Sequence, residues 1–272
     1  MTEKIIADLI TEINNLIIII LKFEVMNRKL RINWQTIKVT TVVLLLASIS
    51  VIKLQAQTPK MEPTETKEIV KGIYSIKDSF VNLFILQDGD GYIVVDAGTN
   101  IGAITQELEK LKINPDKVTA LFLTHSHPDH VAAVALFKKA TIYLSNTELP
   151  AVASEKPLYL TLNKTEYKNK YVLLNDQQVV RTKSLSVKAI QTPGHTPGSI
   201  SYLVNDKYLF VGDAFSLVNG KVAKPNEGYT KDMKSAIASF DKINKLPKAE
   251  YIFTAHTGYS ADYKNAVSTE LK

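Results

Sequence analysis

The run Thr124-His125-Ser126-His127-Pro128-Asp129-His130 places three imidazoles and a carboxylate within six residues, directly after an apolar stretch. Side chains alternate along an extended segment, so His125 and His127 lie on one side and can reach a single ion. Asp129 and His130 fall where the pattern turns helical and point elsewhere, towards a second ion. The other two histidines stand in similar contexts: His195 in Thr192-Pro-Gly-His-Thr-Pro-Gly198, and His256 in Thr254-Ala-His-Thr-Gly258. Asp96 and Asp213 also close short apolar runs, in Val95-Asp96-Ala97-Gly98 and Gly212-Asp213-Ala214. Borderline-soft Zn²⁺ accepts imidazole nitrogen and carboxylate oxygen together, and a His/Asp set without cysteine points to a catalytic rather than a structural site.

Composition narrows the chemistry further. The 272 residues include five histidines and no cysteine. That excludes disulfide scaffolds, thiolate zinc sites, Cys-held iron–sulfur clusters and a Cys nucleophile. With 45% apolar and 22% charged residues, the chain is globular rather than disordered or fibrous. The net charge of +6 owes half its value to residues 1–56, which carry seven basic and four acidic side chains. The remaining lysines form no basic stripe with interleaved aromatics, so nucleic acid is not an expected partner.

Residues 1–56 read differently from the rest. Met26-Asn-Arg-Lys-Leu-Arg31 is a basic segment, Val39–Ile52 is uncharged and mostly apolar, and Leu54-Gln55-Ala56 offers a small residue before Gln57. This is the pattern of a signal peptide over 26–56, with a periplasmic or secreted destination, although Leu54 is large for its position. An uncleaved membrane anchor is the alternative, but the 14 uncharged residues fall short of the roughly 20 that span a bilayer. Residues 1–25 fit no leader, and Met26 is the expected start. A linker over 57–67 then precedes one domain over 68–272.

Within that domain, strands are expected at Gly72–Ile76, Val81–Gln87, Tyr92–Val95, Ala120–Leu123, Thr141–Leu144, Tyr171–Leu174, Val179–Val180, Ser186–Gln191, Ile200–Val204, Tyr208–Val211 and Tyr251–Thr254. Asp88-Gly89-Asp90-Gly91 and Asn205-Asp206 signal hairpins. Helices are expected at Ile101–Leu111, His130–Lys139, Lys231–Ile243 and Ala261–Leu271. Mixed elements with several hairpins favour a layered α/β sandwich over a doubly wound sheet. Two segments are candidate pocket walls: Asn219–Tyr229, with Lys221 and Lys224, and the long polar stretch Asn146–Lys170.

The ordered set Asp96, His125-x-His127-x-Asp129-His130, His195, Asp213 and His256 resembles the metallo-β-lactamase-fold hydrolases, of the glyoxalase II- or lactonase-like dimetal type, over about residues 68–265. The resemblance implies an αββα sandwich of two mixed sheets flanked by helices, with metals at the edge between the sheets. It implies one zinc held by His125, His127 and His195, and another by Asp129, His130 and His256, with Asp213 bridging. Asp96 would support the site without binding metal. Two such ions would supply a bridging hydroxide near neutral pH, and Asp129 would orient it and accept a proton. An ester, thioester, lactone or related small carbonyl compound is the expected substrate.

Two alternatives carry different chemistry. A cysteine-free zinc β-lactamase shares most of the motif but normally lacks the bridging aspartate. A persulfide dioxygenase shares the fold but uses one iron, which would leave Asp129, His130, Asp213 and His256 unexplained; iron or manganese in place of zinc remains open on residue types alone. Glyoxalase II-like thioesterases typically add a C-terminal helical region, whereas 16 residues follow His256. Lactonases of the family often carry a tyrosine where this chain has Ala214-Phe215-Ser216.

Overall fold

The computed structural model describes residues 15, 17–19, 60–148, 171–246, 248–269 and 271. The chain divides into two compact units, Met1–Thr58 and Pro59–Lys272. The proposed leader and most of the 146–170 segment lie outside the described residues. Among the described residues, no helix is long and apolar enough to cross a membrane.

The second unit is built on two sheets. In the first, β1 (Lys67–Val70), β2 (Ile73–Asp78), β3 (Val81–Asp88) and β4 (Gly91–Val95) run antiparallel, and β5 (Val118–Phe122), β6 (Thr141–Ser145) and β7 (Tyr171–Leu174) continue in parallel. In between come α1 (Ile101–Lys110) and the single-turn α2 (Pro128–Val131). The second sheet draws on β8 (Val179–Arg181), β9 (Ser186–Gln191), β10 (Ile200–Val204) and β11 (Tyr208–Phe210). Beyond a small β12 (Leu217–Val218)–β13 (Lys221–Val222) hairpin and α3 (Met233–Ile243), β14 (Tyr251–Phe253) pairs parallel with β11. β15 (Tyr259–Ser260) forms the far edge, and α4 (Tyr263–Ala266) follows.

Alternation along the strands separates three apolar layers. Leu83 and Ile85 of β3 face Ile104 and Leu108 of α1, whereas Phe84 and Leu86 face Phe210 and Phe253 of the opposite sheet. Leu209 and Ile252 pack outward against Phe240 and Ile243 of α3. A strand buried on both faces, as β3 is, needs this double cover. The result is the expected αββα sandwich.

Several expectations change in detail. The helix expected over His130–Lys139 is α2 plus a 3₁₀ turn at Val134–Leu136. Pro128 starts the helix early at its first position, and the run from Val131 to Phe137 is used for burial rather than for a continuing amphipathic face. The closing helix expected at Ala261–Leu271 shrinks to α4, capped by Asp262, whose side chain accepts from the Asn265 amide. Its Tyr263 and Val267 still pack into the outer core. α3 starts at Met233, because Asp232 caps it by accepting from Ser235. Three short pieces without an apolar run, β1, the β12–β13 hairpin and β15, carried no periodic signal. Both hairpin signals form turns, with Asn205 and Asp206 at φ 52° and 57°.

Candidate metal centre

Strand ends deliver the site. β5 runs through Leu123 and Thr124 into His125, and Pro128 turns the chain so that Asp129 and His130 lie on α2. His195 sits in the loop from β9 to β10, seated on α3: Ser239 Oγ donates to the Pro193 carbonyl at 2.8 Å and the Asp232 amide to the Gly194 carbonyl at 3.0 Å. Gly194 is required there, because a Cβ would come within 2.5–2.8 Å of Ala236 backbone and side-chain atoms. Asp213 follows β11 and His256 follows β14, the two strands that run side by side.

The side chains converge as two sets. His125, His127 and His195 each bring one ligand atom, and these lie within 4.8 Å of one another; so do those of Asp129, His130, Asp213 and His256. His127 Nδ1 and His195 Nε2 stand 2.9 Å apart. Asp213 lies between the sets, with one oxygen towards each. Its Oδ2 is 3.4 Å from His195 Nε2 and 3.9 Å from His125 Nε2, and its Oδ1 is 3.2 Å from His130 Nε2 and 3.1 Å from His256 Nε2. Asp129 Oδ2 is 3.4 Å from His130 Nε2 and 3.3 Å from His256 Nε2.

The outer ring nitrogens are held. His130 Nδ1 lies 2.9 Å from Asp96 Oδ2, His256 Nδ1 is 2.7 Å from the Phe80 carbonyl, and His125 Nδ1 is 3.1 Å from Thr124 Oγ1. His195 is held by the Tyr229 backbone. Such contacts fix the rings and direct the inner nitrogens at the site. Asp96 also accepts from the Thr124 amide at 2.8 Å, tying the ends of β4 and β5 together, and it does so at a strained φ of 60°. Thr124, Phe80 and Tyr229 carry no sequence signal for this role, since two act through backbone and one through a hydroxyl.

Electrostatics separate the two sets. Burial, then the charge of His130, holds the His125 imidazole well below the usual histidine range; burial and neighbouring histidines hold His195 at about 4. Burial also lowers His130, but Asp213 and Asp96 outweigh it and lift the ring well above the usual range. His256 is lifted to about 10, Asp129 and Asp213 overcoming its burial. Burial would raise Asp129 and Asp213, yet the surrounding imidazoles pull both well below the carboxylate range. The carboxylate-bearing set demands positive charge, whereas His125 and His195 offer neutral lone pairs.

A divalent cation fits these residues. His125 Nε2, His130 Nε2 and Asp213 Oδ1 are buried with no hydrogen-bond partner, although oppositely charged atoms lie nearby. They aim at shared points rather than at one another, and unpaired buried polar atoms of this kind are costly. The site opens into a cavity of about 720 Å³, walled by Met61, Phe80, Phe215, Pro225 and Tyr229, with Asp129 and Lys231 on its lining. Of the expected wall segment Asn219–Tyr229, Pro225, Asn226, Gly228 and Tyr229 do line the cavity, whereas Lys221 and Lys224 do not: Lys221 reaches Ser268 and Lys224 faces Glu227.

A two-sheet sandwich whose strand ends gather two adjoining His/Asp sets has the build of a metal-binding hydrolase. Residues 76–256 match the metallo-beta-lactamase superfamily model, and the chain belongs to that superfamily. It is similar to a probable metallo-hydrolase of Methanocaldococcus jannaschii, 32% identical over 61% of this chain and 71% of the relative. It is also similar to a hydroxyacylglutathione hydrolase of Glaesserella parasuis, 29% identical over 71% of this chain and 72% of the relative. Among solved structures, a metallo-beta-lactamase family protein of Thermus thermophilus superposes with a TM-score of 0.56, at 25% identity, over 74% of this chain and 78% of that one.

Proposed function

We propose that this chain is a dizinc hydrolase that cleaves an ester, thioester, lactone or related carbonyl compound. The observation that carries the reading is Asp213, which presents one carboxylate oxygen to each of two donor sets at the floor of the cavity. His125, His127 and His195 would hold one ion, and Asp129, His130 and His256 the other. When bound, the ions would activate water and stabilise an oxyanion.

The remaining work falls to the chain's own groups. Asp129 lines the cavity beside His256, so it is placed to orient an attacking water. The apolar wall of Met61, Phe80 and Phe215 excludes water from one side of the substrate. The similarity to hydroxyacylglutathione hydrolases makes thioesters the first substrates to try.

A panel of thioesters, esters, lactones and the β-lactam nitrocefin, run on protein starting at Gln57, tests the reading. Asp129→Ala should lower kcat on the turned-over substrate by about 100-fold or more while the fold is retained. Efficient nitrocefin cleavage without thioester or lactone turnover would replace this reading with a β-lactamase. Unchanged kcat in Asp129→Ala would remove the role given to Asp129.

A further inference from the structure

Outside the donor sets lies one more buried carboxylate aimed at the same loops. Glu148 is 1% exposed and ends the 3₁₀ turn Asn146–Glu148 that follows β6. Its Oε1 accepts from the Ser126 amide at 3.0 Å and the Ser126 hydroxyl at 2.7 Å. Its Oε2 accepts from the Thr196 hydroxyl at 2.8 Å. Ser126 stands between His125 and His127, and Thr196 directly follows His195. One carboxylate therefore grips both loops that bring the three histidines together, one loop from each sheet.

The packing around this grip is close. A Cβ at Gly198 would fall inside van der Waals distance of the Glu148 backbone and carboxylate, so the β9–β10 loop can approach only with glycine there. The Thr196 hydroxyl and amide both engage Ser199 Oγ, at 2.8 and 3.0 Å, which fixes the hydroxyl facing Glu148. A buried carboxylate is costly unless it is hydrogen-bonded, and Glu148 accepts three bonds from donors on both loops.

We propose that Glu148 is a positioning residue that sets the distance between the His125–His127 loop and the His195 loop, and so tunes metal affinity and ligand geometry at the three-histidine set. It touches neither metal nor substrate. The inference rests on the reading of this cluster as a metal site. Its sequence context, Ser145-Asn146-Thr147-Glu148, holds no motif; its only signal is its place just past a strand end on the edge where the ligands gather.

The test uses the full chain stripped of metal and titrated with Zn²⁺ against a chromophoric chelator, and with Co²⁺ followed by its visible spectrum. Glu148→Ala should weaken zinc binding at the three-histidine set by about 10–100-fold and shift the cobalt bands. Glu148→Gln keeps an acceptor for Ser126 and a partner for Thr196, and should recover most of the affinity. Thr196→Val removes the tie to Glu148, together with the hydroxyl contact to Ser199, at nearly constant volume; it should lose affinity to a smaller degree, and decides the matter if Glu148→Ala does not fold. A lowered melting temperature with unchanged zinc affinity and cobalt spectrum in the folded variants would overturn the proposal. Wild-type protein that binds neither ion would instead sink the metal-site reading beneath it.

Discussion

Four imidazoles of this site, those of His125, His130, His195 and His256, are held at one nitrogen and aimed inward at the other, and that division gives the residue scale its predictions. Asp96 shows it best. It receives His130 Nδ1 and the Thr124 amide together, so one carboxylate orients a ring and joins two strand ends. Replacing it by alanine leaves a buried ring nitrogen and a buried amide without their acceptor. The Asp129/His130/Asp213/His256 set should then lose about 10–100-fold in metal affinity, read as metal retained after dialysis, with the three-histidine set less affected. Equal loss from both sets would show that Asp96 acts on the fold rather than on His130. The ligand types themselves were legible in the sequence, because histidines are scarce here and all five fall in the turns that follow strands. Their supports were not, since a carbonyl such as that of Phe80 and a hydroxyl such as that of Thr124 look the same in every sequence.

At the scale of elements, the two sheets must be joined in fixed register for their ends to meet. Asp88, at the end of β3, does part of this on the side away from His125. It is 3% exposed and accepts from the Ser184 amide and hydroxyl, at 2.5 and 2.8 Å, and from the Lys183 amide at 3.1 Å, all in the β8–β9 turn. Burial alone would raise its carboxyl, but these bonds outweigh burial and hold it below the usual carboxylate value. Because the folded pKa is the lower one, this stabilisation is present above the unfolded value of about 3.9 and fades as pH falls through the folded value. Asp88→Asn should cost about 2 kcal/mol at pH 7 in urea unfolding, and the gap to wild type should close in strong acid. A gap independent of pH would mean that the carboxylate charge contributes nothing.

Long, strongly patterned elements such as β3, α1 and α3 were readable from apolar spacing. The departures have local causes: Pro128 and Asp262 reset where helices begin, and β1, β12, β13 and β15 are too short to show a period. For these short strands, pairing with a neighbouring strand decides the conformation rather than local propensity.

The whole molecule adds a question of where it works. From the basic run at Met26–Arg31, the uncharged Val39–Ile52 and the small Ala56, we propose export with cleavage before Gln57. Intact mass of the protein recovered from outside the cytoplasm should give an N-terminus at Gln57; a mass retaining residues 26–56 would favour the anchored form instead.

The central claim is that two zinc ions share Asp213, and elemental analysis of the purified chain tests it most directly. Wild type should carry two zinc per chain, and Asp213→Ala should lose zinc from both sets, because its two oxygens face different sets. One iron per chain with the second set empty, or two zinc retained undiminished in Asp213→Ala, would contradict the account.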